Sequence, residues 1–360
     1  MDRVPKGLTR YCVAPDVKIR DVIAQIDRNG KGIVLVADAR GRLISTVTDG
    51  DIRRAILAQV DIDSTTAQDL VDRRGARGDS APLVAPVGTP GGELLKLMEA
   101  RNLRHIPLVD EDGRIADIAL LSTLAKRRDP QMSAVVMAGG FGTRLRPLTE
   151  ELPKPMVPVD GRPIMERIVE QLREAGIRRV NVATHYKKEM ISDHFGDGTD
   201  FGVDISYVEE DEPLGTAGAL GLVESTTEPL LVINADILTG VDFGAMLSFH
   251  QEHGADMTVA VKEHQVDVPY GVVESDGVWI TRIVEKPTIR QFVNAGIYVV
   301  NPDVPGSIPA DRAYDMPELI DYLISEGRLV ASFPVHEYWF DIGNKADYEQ
   351  AQRGIHGSNV

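Results

Sequence analysis

The chain of 360 residues has a single cysteine, Cys12, so it cannot close an internal disulfide, and a reducing cytoplasm is the expected compartment. Hydrophobic residues make up 43% of it, yet no apolar run approaches the roughly 18 residues a bilayer crossing needs. The N-terminus also lacks an apolar stretch of signal-peptide type, so no membrane partner is expected. Basic charge is in short supply: 39 Lys and Arg stand against 55 Asp and Glu, a net charge of −16. The shortage is local. Residues 1–130 hold 21 Lys and Arg against 19 Asp and Glu, whereas the remainder holds 18 against 36. A region that acidic offers no basic face to nucleic acid. A small phosphorylated ligand needs only local cations and a metal ion, and those the composition allows.

A glycine turn is what the chain does have. Gly139, Gly140 and Gly142 follow the apolar run Ala134–Met137, which reads as a buried strand, with Ala138 and Thr143 completing the turn. Glycine lets backbone N–H groups approach an anion closely, since no Cβ intervenes. Arg144, Arg146 and Lys154 then follow in a loop stiffened by prolines. Such a loop is suited to phosphates. A Walker A motif would need a lysine followed by a hydroxyl residue, and a dinucleotide fingerprint would need glycine where Leu145 stands; neither fits.

The ordered string Gly-Gly-x-Gly-Thr-Arg-Leu-x-Pro-Leu-Thr-x-x-x-Pro-Lys-Pro, residues 139–155, resembles the signature of the sugar-1-phosphate nucleotidylyltransferases. Strand and helix patterns alternate after residue 133, which points to an α/β domain with a mainly parallel sheet. The resemblance covers about residues 133–350 and implies a Rossmann-like doubly wound nucleotidyltransferase domain over 133–356.

A polar seam, Lys126–Gln131, separates that domain from residues 1–130. There a helix–strand–strand–helix order recurs in units of about 60 residues, with turns at Ala39-Arg40-Gly41 and Glu111-Asp112-Gly113. The repeat resembles a tandem pair of CBS domains, a regulatory and dimerising module, and implies a homo-oligomer and an adenine nucleotide as ligand. Thr48 and Asp51 match the family's ribose-holding positions in the first repeat, while Ala119 and Ser122 replace them in the second. Asp51 also suits a helix N-cap with no ligand at all.

Acids at loop positions complete the pattern. Asp236 ends the apolar strand Leu230–Ile233, where ligands bind in open parallel sheets, and Asp341 follows the aromatic run Tyr338–Phe340. In the resembled family two such acids share Mg²⁺, the expected cofactor. The segment Glu212-Pro-Leu-Gly215-Thr216 aligns with the family's base-reading turn. A carboxylate only accepts hydrogen bonds, which suits the paired donors of guanine, so Glu212 favours GTP as the nucleoside triphosphate. Glu285 and Lys286 match the pair that meets the sugar 1-phosphate, with Gly271, Asn294 and Gly296 as further sugar-pocket positions. His250 and His253 have His-x-x-His spacing but no third ligand, and cations near a helix C-terminus suit its dipole.

The implied chemistry is nucleotidyl transfer, with Arg144, Lys154 and Lys286 neutralising charge. The CBS pairing resembles guanylyltransferases that act on glucosamine 1-phosphate in legionaminic acid biosynthesis. Mannose or heptose 1-phosphate fits the same residues, as does a uridylyl or thymidylyl enzyme. A reading of another class is a non-catalytic nucleotide sensor or scaffold, although such a protein would be expected to lose the charged set.

Overall fold

Ala134-Val135-Val136 and Leu230–Ile233 are apolar at every position, so both faces of their strands require cover. The computed structural model describes residues 4–5, 7–75, 82–101, 103–124, 130–210 and 212–357, and divides the chain into two compact units, Met1–Arg128 and Asp129–Val360. Residues 126–129 of the expected seam lie outside the described residues.

In the second unit seven strands form one sheet, in spatial order Asp204–Glu209, Arg179–Thr184, Ser133–Met137, Leu230–Asn234, Thr288–Val300, Met257–Asp267 and Val330–Val335. The first four run parallel. Thr288–Val300 is antiparallel to both its neighbours, and Met257–Asp267 pairs in parallel with Val330–Val335. The mainly parallel α/β sheet expected from the alternation is therefore present, with one reversed strand inside it.

Alternate residues feed two apolar clusters. Ala134, Val136, Leu231, Ile233, Ile297 and Val299 enter one, and Val135, Leu230, Val232, Tyr298 and Val300 enter the other. The first is closed by the helix Ile164–Glu174, whose Ile164, Met165, Ile168, Val169 and Leu172 form one buried stripe at helical spacing. Gly176, at φ +84°, ends that helix in a conformation glycine adopts without strain. The second cluster is closed by Met316, Leu319 and Leu323 of the helix Met316–Ser325.

In the first unit two three-stranded sheets repeat one plan: Cys12–Val13, Ile33–Ala37 and Leu43–Thr48, then Ala85–Pro86, His105–Val109 and Ile115–Leu120. Each has a parallel pair followed by an antiparallel hairpin. The two hairpin turns are built alike, since Asp38 Oδ1 accepts from the N–H groups of Arg40 and Arg42, and Asp110 Oδ1 from those of Asp112 and Arg114. Cys12 and Ala85 hold equivalent places, so the repeat is longer than the 60 residues expected. The excess includes the helix Ala67–Gly75, whose Ala67, Leu70 and Val71 pack into the core of the first repeat. Cys12 is buried, and burial pushes its thiol up to about 11, which keeps it protonated and unreactive. Among the described residues no helix is long and apolar enough to cross a membrane.

The two histidines before Gly254 play different parts. His253 is exposed and stacks on Phe249 with ring centroids 4.0 Å apart. His250 is buried: its Nε2–H donates to Asn301 Oδ1 at 3.1 Å, and the Thr258 hydroxyl donates to Nδ1 at 2.9 Å. Loss of water holds its pKa below the ordinary value of 6.5, against smaller opposing effects from Asn301 and Asp256. His250 is thus a neutral core group and not the dipole-compensating cation expected. As pH falls through 6.5 the unfolded chain takes up a proton that the folded ring resists, so stability contributed by His250 is present above that pH and lost below it. His250→Asn should cost about 1–3 kcal/mol at pH 7.5 and flatten the loss of stability between pH 7 and 5. Urea titrations at pH 7.5 and 5.5 measure both; identical pH slopes in the two proteins would refute the role.

Candidate functional site

Four parallel strands end on the same edge of the sheet, and the loops that follow them carry the residues of interest. This is the edge at which open α/β sheets bind ligands. After Ser133–Met137 the glycine turn begins, anchored by Ala138 N–H donating to Ala183 O at 2.8 Å. Gly142, at φ +62°, has its carbonyl capped by the Thr149 hydroxyl at 2.7 Å. A Cβ on Gly142 would stand 2.9 Å from Thr149 Cγ2 and 3.1 Å from Lys154 Cβ. Glycine is required there by its positive φ and by the close approach of Thr149 and Lys154.

Lys154 reaches Asp236, with which it forms a half-buried ion pair. Asp236 is fixed from two sides. Ala235 N–H donates to Met137 O at 3.1 Å, and Ile342 N–H donates to Asp236 O at 3.0 Å. The second bond belongs to a short antiparallel pair, Ile237–Thr239 with Trp339–Asp341, in which Ile237 faces Asp341. The pairing brings Asp236 and Asp341, more than a hundred residues apart in sequence, to adjoining strand ends. The aromatic run before Asp341 is therefore a strand, pinned by Trp339 Nε1–H donating to Ala295 O at 2.8 Å.

The electrostatics of this pair favour a cation. The carboxyl of Asp341 is pushed above the usual range, first by loss of water and then by the negative charge of Asp236, with Lys154 and Arg144 opposing. Asp236 Oδ1 is buried and has no hydrogen-bond partner among the described residues. An orphaned carboxylate oxygen beside a second carboxylate is a donor set that suits a hard divalent ion. Arg144 is exposed on the short 3₁₀ turn Thr143–Leu145, near enough to influence Asp341.

The acid beside the glycine turn is Glu210 and not Glu212. Glu210 N–H donates to Thr184 O at 3.0 Å, which holds the residue against the sheet edge just beyond the strand Asp204–Glu209. Its Oε2 accepts from Leu214 N–H at 2.9 Å, and a Cβ on Gly139 would lie 2.7 Å from its Oε1. His185 Nδ1–H donates to Glu210 O at 2.9 Å, and Phe141 meets the His185 ring edge-on at 5.6 Å. Glu212, two residues on, has left the edge and is exposed. The useful signal in the sequence was the place of Glu210 immediately after the strand, hidden in a string of acids.

Gly215 and Thr216 are committed elsewhere. Thr216 N–H donates to Asp315 Oδ1 at 2.8 Å, and its hydroxyl accepts from Met316 N–H at 2.8 Å. Gly215, at φ +82°, lets Asp315 and Tyr314 approach, since a Cβ would fall 2.7 Å from Asp315 Oδ1. The turn is thereby fastened to the start of the helix Met316–Ser325, a joint that the Thr216 side chain helps to hold.

Two further groups hold the remaining expected residues, the first of them beside the strand that leads to Asp236. A Cβ on Gly296, at φ +70°, would stand 2.7 Å from Asn234 Nδ2, on the strand that leads to Asp236. Asn294 Oδ1 accepts from Gly296 N–H at 3.0 Å, and Asn294 Nδ2 donates to the Tyr298 hydroxyl at 2.8 Å. Burial pushes the Tyr298 hydroxyl up to about 12. Gly271 and Glu285 adjoin one another, since a Cβ on Gly271 would lie 3.0 Å from Glu285 Oε2. Lys286 follows at φ +46°, its N–H donating to Tyr270 O at 3.3 Å. These residues sit at the root of the hairpin formed by Val272–Asp276 and Trp279–Val284.

In the first unit Thr48 and Asp51 form a capping box on the helix Asp49–Leu57. Asp51 N–H donates to Thr48 Oγ1 at 3.3 Å and Thr48 N–H to Asp51 Oδ2 at 2.9 Å. Arg54 also donates to Asp51 Oδ1 at 2.8 Å. Capping accounts for both side chains.

Comparison with known proteins agrees with this division. The nucleotidyl transferase family model matches residues 133–358, and the CBS domain model matches residues 8–58 and 79–128. The chain is 37% identical over 226 residues to the mannose-1-phosphate guanylyltransferase catalytic subunit beta of Danio rerio, across 60% of this chain and 62% of that protein. It is 35% identical over 227 residues to the mannose-1-phosphate guanyltransferase of Kluyveromyces lactis, across 60% and 63%. The chain thus spans less than two thirds of the length of these curated relatives. A crystal structure from Bacillus anthracis, described as a glucose-1-phosphate thymidylyltransferase, shares the fold at a TM-score of 0.51 and 24% identity, over 62% of this chain and 94% of that one. With the family match running through most of its length, the chain belongs to the nucleotidyl transferase family.

Proposed function

We propose that the protein transfers a guanylyl group from GTP to a sugar 1-phosphate, giving a GDP-sugar and pyrophosphate. The observation that carries this reading is the unbroken set of contacts from the glycine turn through Lys154 to Asp236 and its neighbour Asp341. An oxygen of the sugar phosphate attacks the α-phosphorus in line. A P–O bond forms to it while the bond to the β-phosphate's bridging oxygen breaks, and pyrophosphate leaves with that electron pair. The nucleophile is already an anion, so no general base is needed, and the side chains contribute position and charge.

Backbone N–H groups of residues 139–142 hold the triphosphate, and exposed Arg144 meets the departing pyrophosphate. Asp236 and Asp341 would hold Mg²⁺, which supplies charge neutralisation at the phosphates. Lys154 then exchanges Asp236 for the α-phosphate. On the acceptor side Lys286 gives a point charge to the sugar phosphate, Glu285 accepts from sugar hydroxyls, and Gly271, Asn294 and Gly296 leave room for the ring.

The guanine reading now rests on Glu210. Its carboxylate accepts only, and guanine presents two adjacent donors, N1–H and the 2-amino group. Two acceptors have support: glucosamine 1-phosphate from the pairing of CBS repeats with this domain, and mannose 1-phosphate from the names of the relatives. An adenine nucleotide at Thr48 and Asp51 would have to compete with their capping box.

Pyrophosphate release measured over four nucleoside triphosphates and a panel of sugar 1-phosphates should be fastest with GTP and a hexosamine or hexose 1-phosphate; no release with any pair would end the enzymatic reading. Arg144→Ala and Asp236→Ala should each lower turnover at least ~100-fold. Glu210→Gln should reduce the preference for GTP over UTP by roughly 10- to 100-fold, while Glu212→Gln leaves it within about twofold. The reverse ranking of those two variants would return the base-reading role to Glu212.

A further inference from the structure

Directly after the strand Arg179–Thr184, residues His185, Tyr186 and Lys187 meet the glycine segment at two points. Phe141, an exposed residue within the turn, sets its ring edge-on to His185 and tilted against Tyr186, with centroids 5.6 Å apart in both pairs. Beyond the turn, Lys187 Nζ donates to Glu150 O at 2.5 Å, in the short helix Leu148–Glu151. Lys187 itself lies at φ +51°, a left-handed conformation that residues with a Cβ rarely adopt. Strain of that kind persists only where neighbouring contacts hold it.

His185 also reaches the other way, to Glu210. That acid is held at three points. Its N–H donates to Thr184 O at 3.0 Å, its Oε2 accepts from Leu214 N–H at 2.9 Å, and its carbonyl accepts from His185 Nδ1–H at 2.9 Å. The partners at the first two points are backbone groups, which any sequence supplies; the third depends on a side chain. A carbonyl oxygen only accepts, so the proton of the neutral ring belongs on Nδ1. Glu209 and Glu212 are exposed while Glu210 is buried, so the backbone setting at 210 decides which acid of the string adjoins Gly139.

We propose that His185 is a positioning residue for the choice of nucleobase. By donating to the carbonyl of Glu210 it sets that carboxylate against the glycine turn, and Phe141, packed on the same imidazole, keeps the turn in register with it. The inference rests on the base-reading role proposed for Glu210.

Calorimetric titration of the full chain with GTP and with UTP, each with Mg²⁺, gives the ratio of the two dissociation constants. Leucine and asparagine have nearly the same shape, but only asparagine can donate, from an Nδ2 close to the place of the imidazole Nδ1. His185→Leu should lower the preference for GTP by about tenfold, whereas His185→Asn should keep it within about threefold. Phe141→Ala should weaken GTP and UTP alike, by about threefold to tenfold, because it loosens a turn that serves the phosphates common to both. Nitrogen-15 NMR of the wild-type chain at pH 8.5, which needs no variant to fold, should find the His185 proton on Nδ1. A proton on Nε2, or a leucine variant that keeps its preference where Glu210→Gln loses it, would overturn the role of His185 alone. A wild-type chain with no preference for GTP would sink the reading of Glu210 and this inference with it.

Discussion

Two carboxylates held at adjoining strand ends repel each other, and partial loss of water makes the repulsion stronger. Asp236 and Asp341 are in that position because the short pair Ile237–Thr239 and Trp339–Asp341 binds the end of the domain back onto its middle. Lys154 balances one of them, and much of the surrounding structure follows from getting a lysine to that point. The glycine at 142, at positive φ, leaves room for both Thr149 and Lys154, and Thr149 caps the carbonyl of that glycine. The charge cluster and the glycine turn are thus in contact: the lysine that pairs with Asp236 also packs against Gly142.

The sequence was most legible where chain direction and chemistry coincide. A strand that is apolar at every position, followed by glycine or by an acid, can be placed without coordinates, which is why the turn at 139–142 and Asp236 were recognisable. Asp341 was found by its motif, but its strand was not, because three aromatic-rich residues carry no periodicity. Glu210 was missed for a different reason. It differs from Glu209 and Glu212 only in where the strand ends, and a one-residue shift of register decides which acid turns toward the glycine turn and which toward water. Thr216 shows the converse. Its place in a resembled motif suggested a ligand, whereas its hydroxyl is occupied with the backbone at Met316.

The same limit applies in the first unit. Thr48 and Asp51 were read as either a ribose site or a helix cap, and local hydrogen bonding is enough to make them a cap. Histidine 250 could not be told from its neighbour His253 by spacing. Burial separates them, and burial depends on Thr258, within a strand, and Asn301, just past the end of another, which no local pattern links to the helix.

The reversed strand Thr288–Val300 has a consequence for how such a protein changes over time. The parallel strands carry the glycine turn, Glu210 and Asp236, whereas the reversed strand carries Asn294 and Gly296 and leads back to Glu285 and Lys286. The two sets of loops are thus built on separate stretches of sequence, joined along the ladder of Leu230–Ile233 against Ile297–Val300. Under the proposed function, exchange of residues 262–296 would change the acceptor side while the loops of the parallel strands stay intact. An inserted strand running the wrong way becomes, in this sense, a joint at which one specificity is replaceable without rebuilding the other.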